Sequence, residues 1–167
     1  SVRKGDGIFQ WFLQRDMFEQ KKSDCTLGNT GYRFKPGIAN IFNENPPWAY
    51  SSSLKVHGLE ITTGENRKVF HPMEGAYLEI TCSDCKQMVP DKVGWDWIGD
   101  WHNGRMHFAC PSCNIKHEIV EFNIEPEWGF SNLGITLWNT DWDFNLEFIN
   151  EMKRILETNI TLVQVRI

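Results

Sequence analysis

Nowhere is this chain of 167 residues apolar for anything near the roughly 18 consecutive residues that a membrane-crossing helix requires. The opening stretch "SVRKGDGIFQWFLQ" has two basic residues but no long apolar core and no small-residue cleavage site, so no secretory signal is expected there. Ser1 in place of Met fits a start that has been cut or replaced. Positive charge is also scarce. Seventeen Lys and Arg stand against 22 Asp and Glu, for a formal charge of −5. Affinity for nucleic acid comes largely from neutralising phosphates, so this balance disfavours DNA and RNA as partners. Internal repeats, low-complexity tracts and long charge blocks are absent. So are the phosphate-cradling G-x-x-x-x-G-K-[ST], the G-x-G-x-x-G that follows a strand, the H-E-x-x-H of zinc proteases and the G-x-S-x-G of serine hydrolases. These absences remove the commonest catalytic constellations.

The chain has five cysteines, an odd number, and four of them fall into two C-x-x-C pairs. Cys82 and Cys85 form one pair and Cys110 and Cys113 the other, with 24 residues between. This spacing is that of a zinc ribbon. Each knuckle is a tight turn whose backbone N–H groups stabilise two thiolates, and four sulfurs then surround one ion tetrahedrally. The expected ion is zinc, one per chain, or iron in a host short of zinc. Free thiolates point to a reducing, cytoplasmic setting rather than a disulfide framework. Four thiolates leave no open coordination position, so the ion is expected to brace the fold and not to catalyse. Zinc in such a site would take the folded protein to about −7. His102, His107 and His117 lie near the knuckles and are read as surface or strand-face residues. Cys25, in "KSDCTLGN", has no evident histidine partner and is read as incidental.

Periodicity places the other elements. Ile8, Trp11, Phe12 and Phe18 predict a short amphipathic helix within 7–20. "GYRFKPGIANIF" (31–42) reads as a strand bent at Pro36-Gly37, and 42–53 as a polar, proline-bearing loop suited to mobility. "LKVHGLEITTGENRKVFHP" alternates on both sides of "TGEN" and predicts a hairpin. "AYLEITC" (76–82) and "IKHEIVEFNI" (115–124) read as strands leading into and out of the knuckles. Asn103-Gly104 predicts a hairpin turn between the knuckles, with Trp95 and Trp97 facing inward and Asp96, Asp100 and Trp101 at the surface. "NLGITLW" (132–138), a helix over 143–157 with Asp143 as N-cap, and "TLVQVRI" (161–167) predict a C-terminal βαβ-like unit. The sum is a single α+β domain over 1–167, with a mainly antiparallel sheet and an inserted zinc-ribbon hairpin over 82–113.

Eight tryptophans are many for a chain of this length, and half or more must be core. Three segments, "GWDWIGDWHNG", "EPEWGF" and "LWNTDWDF", interleave them with carboxylates. Such an acidic, aromatic surface suits docking onto a basic protein, with Asp96, Asp100 and Trp101 as the expected contacts. A non-catalytic protein binder, such as an immunity-type inhibitor of a basic toxin, is the resulting functional expectation. The rival is an enzyme or small-ligand protein with a site around His57, His71 and Glu74.

With "EWGFSNLGITLWN", the following helix and "TLVQVRI" downstream of both knuckles, the chain resembles a group of small uncharacterised bacterial proteins. These carry a C-x-x-C…C-x-x-C ribbon, a "GFxNLGxxFWNW"-like segment, a helix and a terminal strand. The likeness covers about residues 69–167. It implies a bacterial protein with the architecture of that group, and no activity. "WNTDWDF" is more acidic than the corresponding segment of the group.

Overall fold

The computed structural model describes residues 2–44, 50–72, 77–140 and 143–165. Its helices and antiparallel ladders make an α+β fold. Among the described residues, no helix is long and apolar enough to cross a membrane. The chain packs as two compact units. Unit 1 holds residues 1–64 and 133–160, and unit 2 holds 65–132 and 161–167. Two of the three boundaries, at 64/65 and 132/133, fall inside strands, so no linker composition marks those two.

Unit 1 begins with α1 (Val2–Gln14), whose Ile8, Trp11 and Phe12 are buried at helical spacing. The helix ends before Phe18, which belongs instead to β1 (Phe18–Ser23) and is buried there. β1 pairs antiparallel with β2 (Gly31–Phe34), and β2 pairs antiparallel with β3 (Gly58–Phe70). Pro36-Gly37 does not merely bend a strand. Pro36 opens a 3-10 helix over Pro36–Ile41, as its fixed φ and missing N–H favour. The predicted hairpin at "TGEN" is absent, because β3 runs unbroken through it. Polar alternation on both sides of a turn-like tetrapeptide also fits one long strand, and here the longer ladder wins. β3 begins with glycine for a steric reason. A Cβ on Gly58 would stand 2.5 Å from Cys25 Sγ and 2.8 Å from the Tyr32 carbonyl oxygen.

The four-stranded sheet has the order β1-β2-β3-β8, with β8 spanning Gly129–Leu137. Helix α3 (Leu146–Leu156) closes unit 1, burying Phe148, Met152 and Leu156 against Trp11 and Phe12. Its N-cap is Asn145, not Asp143. The Asn145 side chain accepts from Phe148 N at 2.8 Å and donates to the Asn40 carbonyl at 2.7 Å. Asn thus serves two chain segments at once, which a carboxylate without a donor cannot do. Phe144 lies outside the helix and stacks on Phe42 at 5.4 Å. Residues 161–165 form no strand, so the helix is not followed by the predicted last strand of a βαβ-like unit.

Unit 2 has its own buried cluster around Leu78, Ile80, Trp97, Trp101, Phe108, Ile119, Phe122 and Trp128. Its ladders are short. β4 (Glu79–Thr81) pairs with β7 (Asn123–Glu125), and β5 (His107–Ala109) with β6 (Lys116–Glu118), all antiparallel. The expected long strand over 115–124 is split by a 3-10 turn at Ile119–Glu121. Between the knuckles lies a helix, α2 (Asp91–His102), in place of the expected hairpin. Gly94, Trp97 and Trp101 are its buried residues, at spacings of three and four. Asn103-Gly104 ends this helix. Asn103 N donates to the Gly99 carbonyl, Gly104 N to that of Trp101, and Gly104 adopts φ of +109°. The dipeptide needs left-handed backbone freedom in a hairpin and at a helix C-terminus alike, so it does not by itself tell them apart.

Candidate metal centre

Each knuckle is the same loop. Cys82 N donates to the Gln87 carbonyl at 3.0 Å, and Lys86 N to the Cys82 carbonyl at 3.1 Å. In the second knuckle, Cys110 N donates to Ile115 at 2.9 Å and Asn114 N to Cys110 at 2.8 Å. The residue after the second cysteine turns the chain through the left-handed region in both, Lys86 at φ +59° and Asn114 at +60°. β4 delivers the first knuckle, and β5 and β6 flank the second.

These loops bring Cys82, Cys85, Cys110 and Cys113 together, with all four sulfurs within 4.8 Å of one another. Cys82 and Cys113 Sγ are 3.8 Å apart, and Cys85 and Cys110 Sγ 3.7 Å. A regular tetrahedron with metal–sulfur bonds of about 2.3 Å has edges of about 3.8 Å. Disulfides need about 2.05 Å, and all five cysteines are free thiols. Spacing, distance and donor chemistry therefore fit one tetrahedral metal ion.

Without metal, four adjacent thiols cannot all ionise. Cys110 is drawn down to about 6, chiefly by the backbone N–H of Cys113, then by that of Ser112 and by neighbouring thiols, against the effect of burial. Cys113 accepts the Ile115 N–H, which lowers it, yet burial and its three cysteine neighbours push it up to about 12. One sulfur is thus ready to bind while another holds its proton until a cation displaces it, so loading the centre releases protons.

The histidines divide. His102 and His107 are exposed, as expected. His117 is not a plain surface residue. Its side chain is 14% exposed, its Nε2 stands 2.6 Å from Asp84 Oδ2, and its ring lies edge-on to Phe122 at 5.1 Å. Asp84, inside the first C-x-x-C, was the sequence signal for this contact.

Of the expected partner contacts, Asp96 is exposed on α2. Asp100 is half-buried and paired with Arg105 Nη1 at 2.8 Å. Trp101 is the correction. It is 8% exposed, edge-on to Phe130 at 5.2 Å, with the Arg67 guanidinium over its ring at 4.9 Å. Arg67 also donates to the Trp101 and Arg105 carbonyls at 2.8 and 2.9 Å, which places a cation where the carbonyls of α2 end. Trp95, expected inside, is 46% exposed. A helical period exchanges the two residues relative to a strand period, while Trp97 is buried under either.

The histidines of the rival site, His57 and His71, fall in different units. His57 is 1% exposed in unit 1, with Nδ1 donating to the Asn139 carbonyl at 3.1 Å and Nε2 accepting from Ser51 N at 3.2 Å. Neither ring nitrogen is free to exchange a proton with a substrate. His71 belongs to unit 2, its ring 5.5 Å from that of Trp128, and Glu74 lies outside the described residues, as do residues 45–49 of the proposed mobile loop. Cys25 is fully buried, its sulfur facing Gly58, consistent with an incidental thiol.

His57 leads to a pH prediction. Burial holds its pKa below the ordinary 6.5; the Asn139 carbonyl opposes this and the Arg33 charge adds to it. The unfolded chain therefore takes up this proton first as pH falls. The contribution of neutral His57 is fully present above pH 6.5 and is lost as the pH drops through the window below it. Urea midpoints measured from about pH 7.5 down to about 5 should fall, and the slope should flatten in His57→Gln. An unchanged slope in that variant would assign the titration to other groups.

No family model matches the chain, and no curated protein or solved structure matches it either.

Proposed function

We propose that this chain is a non-catalytic, zinc-braced protein that binds a basic protein partner through unit 2, in the manner of an immunity-type inhibitor. The observation that carries this reading is the four-cysteine cluster at tetrahedral spacing, which has no fifth position for water or substrate. Zinc suits four thiolates in that geometry. What the ion braces is acidic. Unit 2 holds eleven carboxylates against seven Lys and Arg, so −4 of the formal −5 lies there before any thiolate ionises. Strung between the knuckles, α2 turns Asp91, Trp95 and Asp96 outward. An exposed aromatic flanked by carboxylates supplies an anchor and a field that draws in a cationic surface.

The test takes a partner captured by cross-linking, purifies it and compares binding kinetics. Asp96→Asn should slow association at low salt, with the effect fading as salt rises. Trp95→Ala should speed dissociation, costing about 2 kcal/mol or more. Unchanged kinetics in both variants, or tight salt-sensitive binding of the wild type to nucleic acid in a mobility-shift titration, would overturn the reading.

A further inference from the structure

We propose that residues 50–53 are an acid-released strap on unit 1, held in place by the Nε2 lone pair of His57. The strap lies wholly in unit 1 and does not rest on the partner surface of unit 2. Residues 50–56 belong to no ladder, and side chains tie this stretch to the body of the unit. Arg33 donates through Nη1 to the Leu54 carbonyl at 3.0 Å and through Nη2 to the Lys55 carbonyl at 2.9 Å. Asn139 Nδ2 donates to the Val56 carbonyl at 2.7 Å. Those three ties keep their donors at every ordinary pH, since neither a guanidinium nor an amide titrates there. The tie nearest Tyr50 is different in kind. Ser51 N donates to His57 Nε2 at 3.2 Å.

The partners of His57 fix its protonation state. A backbone N–H can only donate, so Nε2 accepts with its lone pair. A carbonyl can only accept, so Nδ1, 3.1 Å from the Asn139 carbonyl, carries the ring's proton. A second proton must go to Nε2, and there it sets one donor against another. The ring has no room to swing away. It is 1% exposed, edge-on to Phe34 at 5.2 Å and 5.6 Å from the Tyr50 ring. Ser52 and Ser53 are exposed, so little packing holds the strap once the bond is gone. Residues 50–53 therefore yield, hinged on residues 54–56, which Arg33 and Asn139 still clamp.

The surroundings of the ring favour release in acid. Burial lowers the His57 pKa while the strap is shut; the Asn139 carbonyl opposes this, the Arg33 charge adds to it and the Trp138 carbonyl opposes it. Arg33, from β2, is the charged side chain acting on the ring, and it repels an imidazolium. Tyr50 is the titratable group that faces the ring from the strap, and Cys25, ahead of β2, accepts the His57 backbone N–H at 3.0 Å. Lys55 and Asp24 pair at 3.6 Å, but both are largely exposed, so water screens that tie. Once the strap opens, the ring meets water and its pKa returns toward the ordinary 6.5. The shut form is fully favoured above pH 6.5 and loses ground below it. Between the open-state and shut-state pKa values, the open-to-shut ratio rises about tenfold for each unit of pH lost.

The full, metal-loaded chain is followed by NMR from about pH 7.5 down to about 5, reading ring nitrogen shifts and amide protection factors. At the upper end the His57 ring should be the tautomer protonated on Nδ1. As the ring begins to protonate, protection at Ser51 should fall about tenfold per pH unit, while amides of α1 and α3 keep theirs. Asp24→Asn should leave that profile unmoved. His57→Gln, whose amide oxygen can accept the same N–H without titrating, should flatten it. A ring protonated on Nε2 at the upper end, or one still neutral at the lower end, overturns the strap. A ring that protonates while Ser51 protection stays constant overturns it too. So does a matching loss over α1 and α3, because the proton then unfolds the unit and does not free one segment. A profile that shifts in Asp24→Asn, or keeps its full slope in a folded His57→Gln, removes His57 from the role. Should His57→Gln fail to fold, the wild-type titration and Asp24→Asn still decide between these outcomes.

Discussion

Cys113→Ser is expected to lose the metal and to unfold unit 2. The β4–β7 and β5–β6 ladders of that unit are three residues long per strand, and isolated two-stranded pairs of that length are marginal in water. The buried cluster of Leu78, Ile80, Trp97, Phe108 and Phe122 is assembled from segments that meet through the knuckles. Structural zinc in small peptides contributes about 10–16 kcal/mol, as much as the whole stability of many domains. Removing one of four thiolates leaves three donors and an open position. Metal content should fall from one equivalent to a small fraction at the four-cysteine centre. Amide exchange over 78–128 should lose most of its protection. Unit 1 has a core of its own, from Ile8 and Phe12 to Phe148 and Met152, so protection over α1 and α3 should outlast that of unit 2. Chelator treatment of the wild type should reproduce the pattern, and zinc should reverse it. A Cys113→Ser protein that keeps both its metal and its protection over 78–128 would show that the ligands have been misassigned.

The metal centre was legible because its chemistry is local. Two cysteines at fixed spacing determine a knuckle, and two knuckles determine a tetrahedron with no help from the surrounding fold. Helix α3 was legible for a related reason, since Phe148, Met152 and Leu156 repeat at one clear period. Elements with two compatible periods misled. In "GWDWIGDWHNG", Trp95 and Trp97 alternate like strand residues, while Gly94, Trp97 and Trp101 repeat like helix residues, and burial of Trp101 under Arg67 and Phe130 decides between them. That decision depends on residues 34 and 29 positions away along the chain, which no local window contains. The same holds for Asn145, whose advantage as N-cap over Asp143 comes from the distant Asn40 carbonyl. Asp84 lies inside the first C-x-x-C and can be picked out there, but its partner His117 cannot: only the pairing of β5 with β6 and the folding of the first knuckle set the two face to face.

Trp101→Ala is expected to destabilise the protein by about 3–5 kcal/mol, the range for removing a buried tryptophan that neighbours cannot fully replace. Loss of the indole leaves a cavity beside Phe130 and removes the ring beneath the Arg67 guanidinium. Arg67 still reaches the Trp101 and Arg105 carbonyls, so the end of α2 keeps part of its hold and the loss should not exceed the packing term by much. Trp95→Ala is the control. That side chain is nearly half exposed and meets Trp128 edge-on at 5.7 Å, so its removal should cost about 1 kcal/mol or less in stability. Urea denaturation of the metal-loaded protein, followed by tryptophan fluorescence and far-ultraviolet dichroism, measures both. Equal losses for the two variants, or a larger loss for Trp95→Ala, would return the segment between the knuckles to a strand-like arrangement with Trp101 at the surface. A large loss for Trp101→Ala alone would instead separate two roles along one helix, Trp101 holding α2 against the body of unit 2 and Trp95 left free to meet a partner.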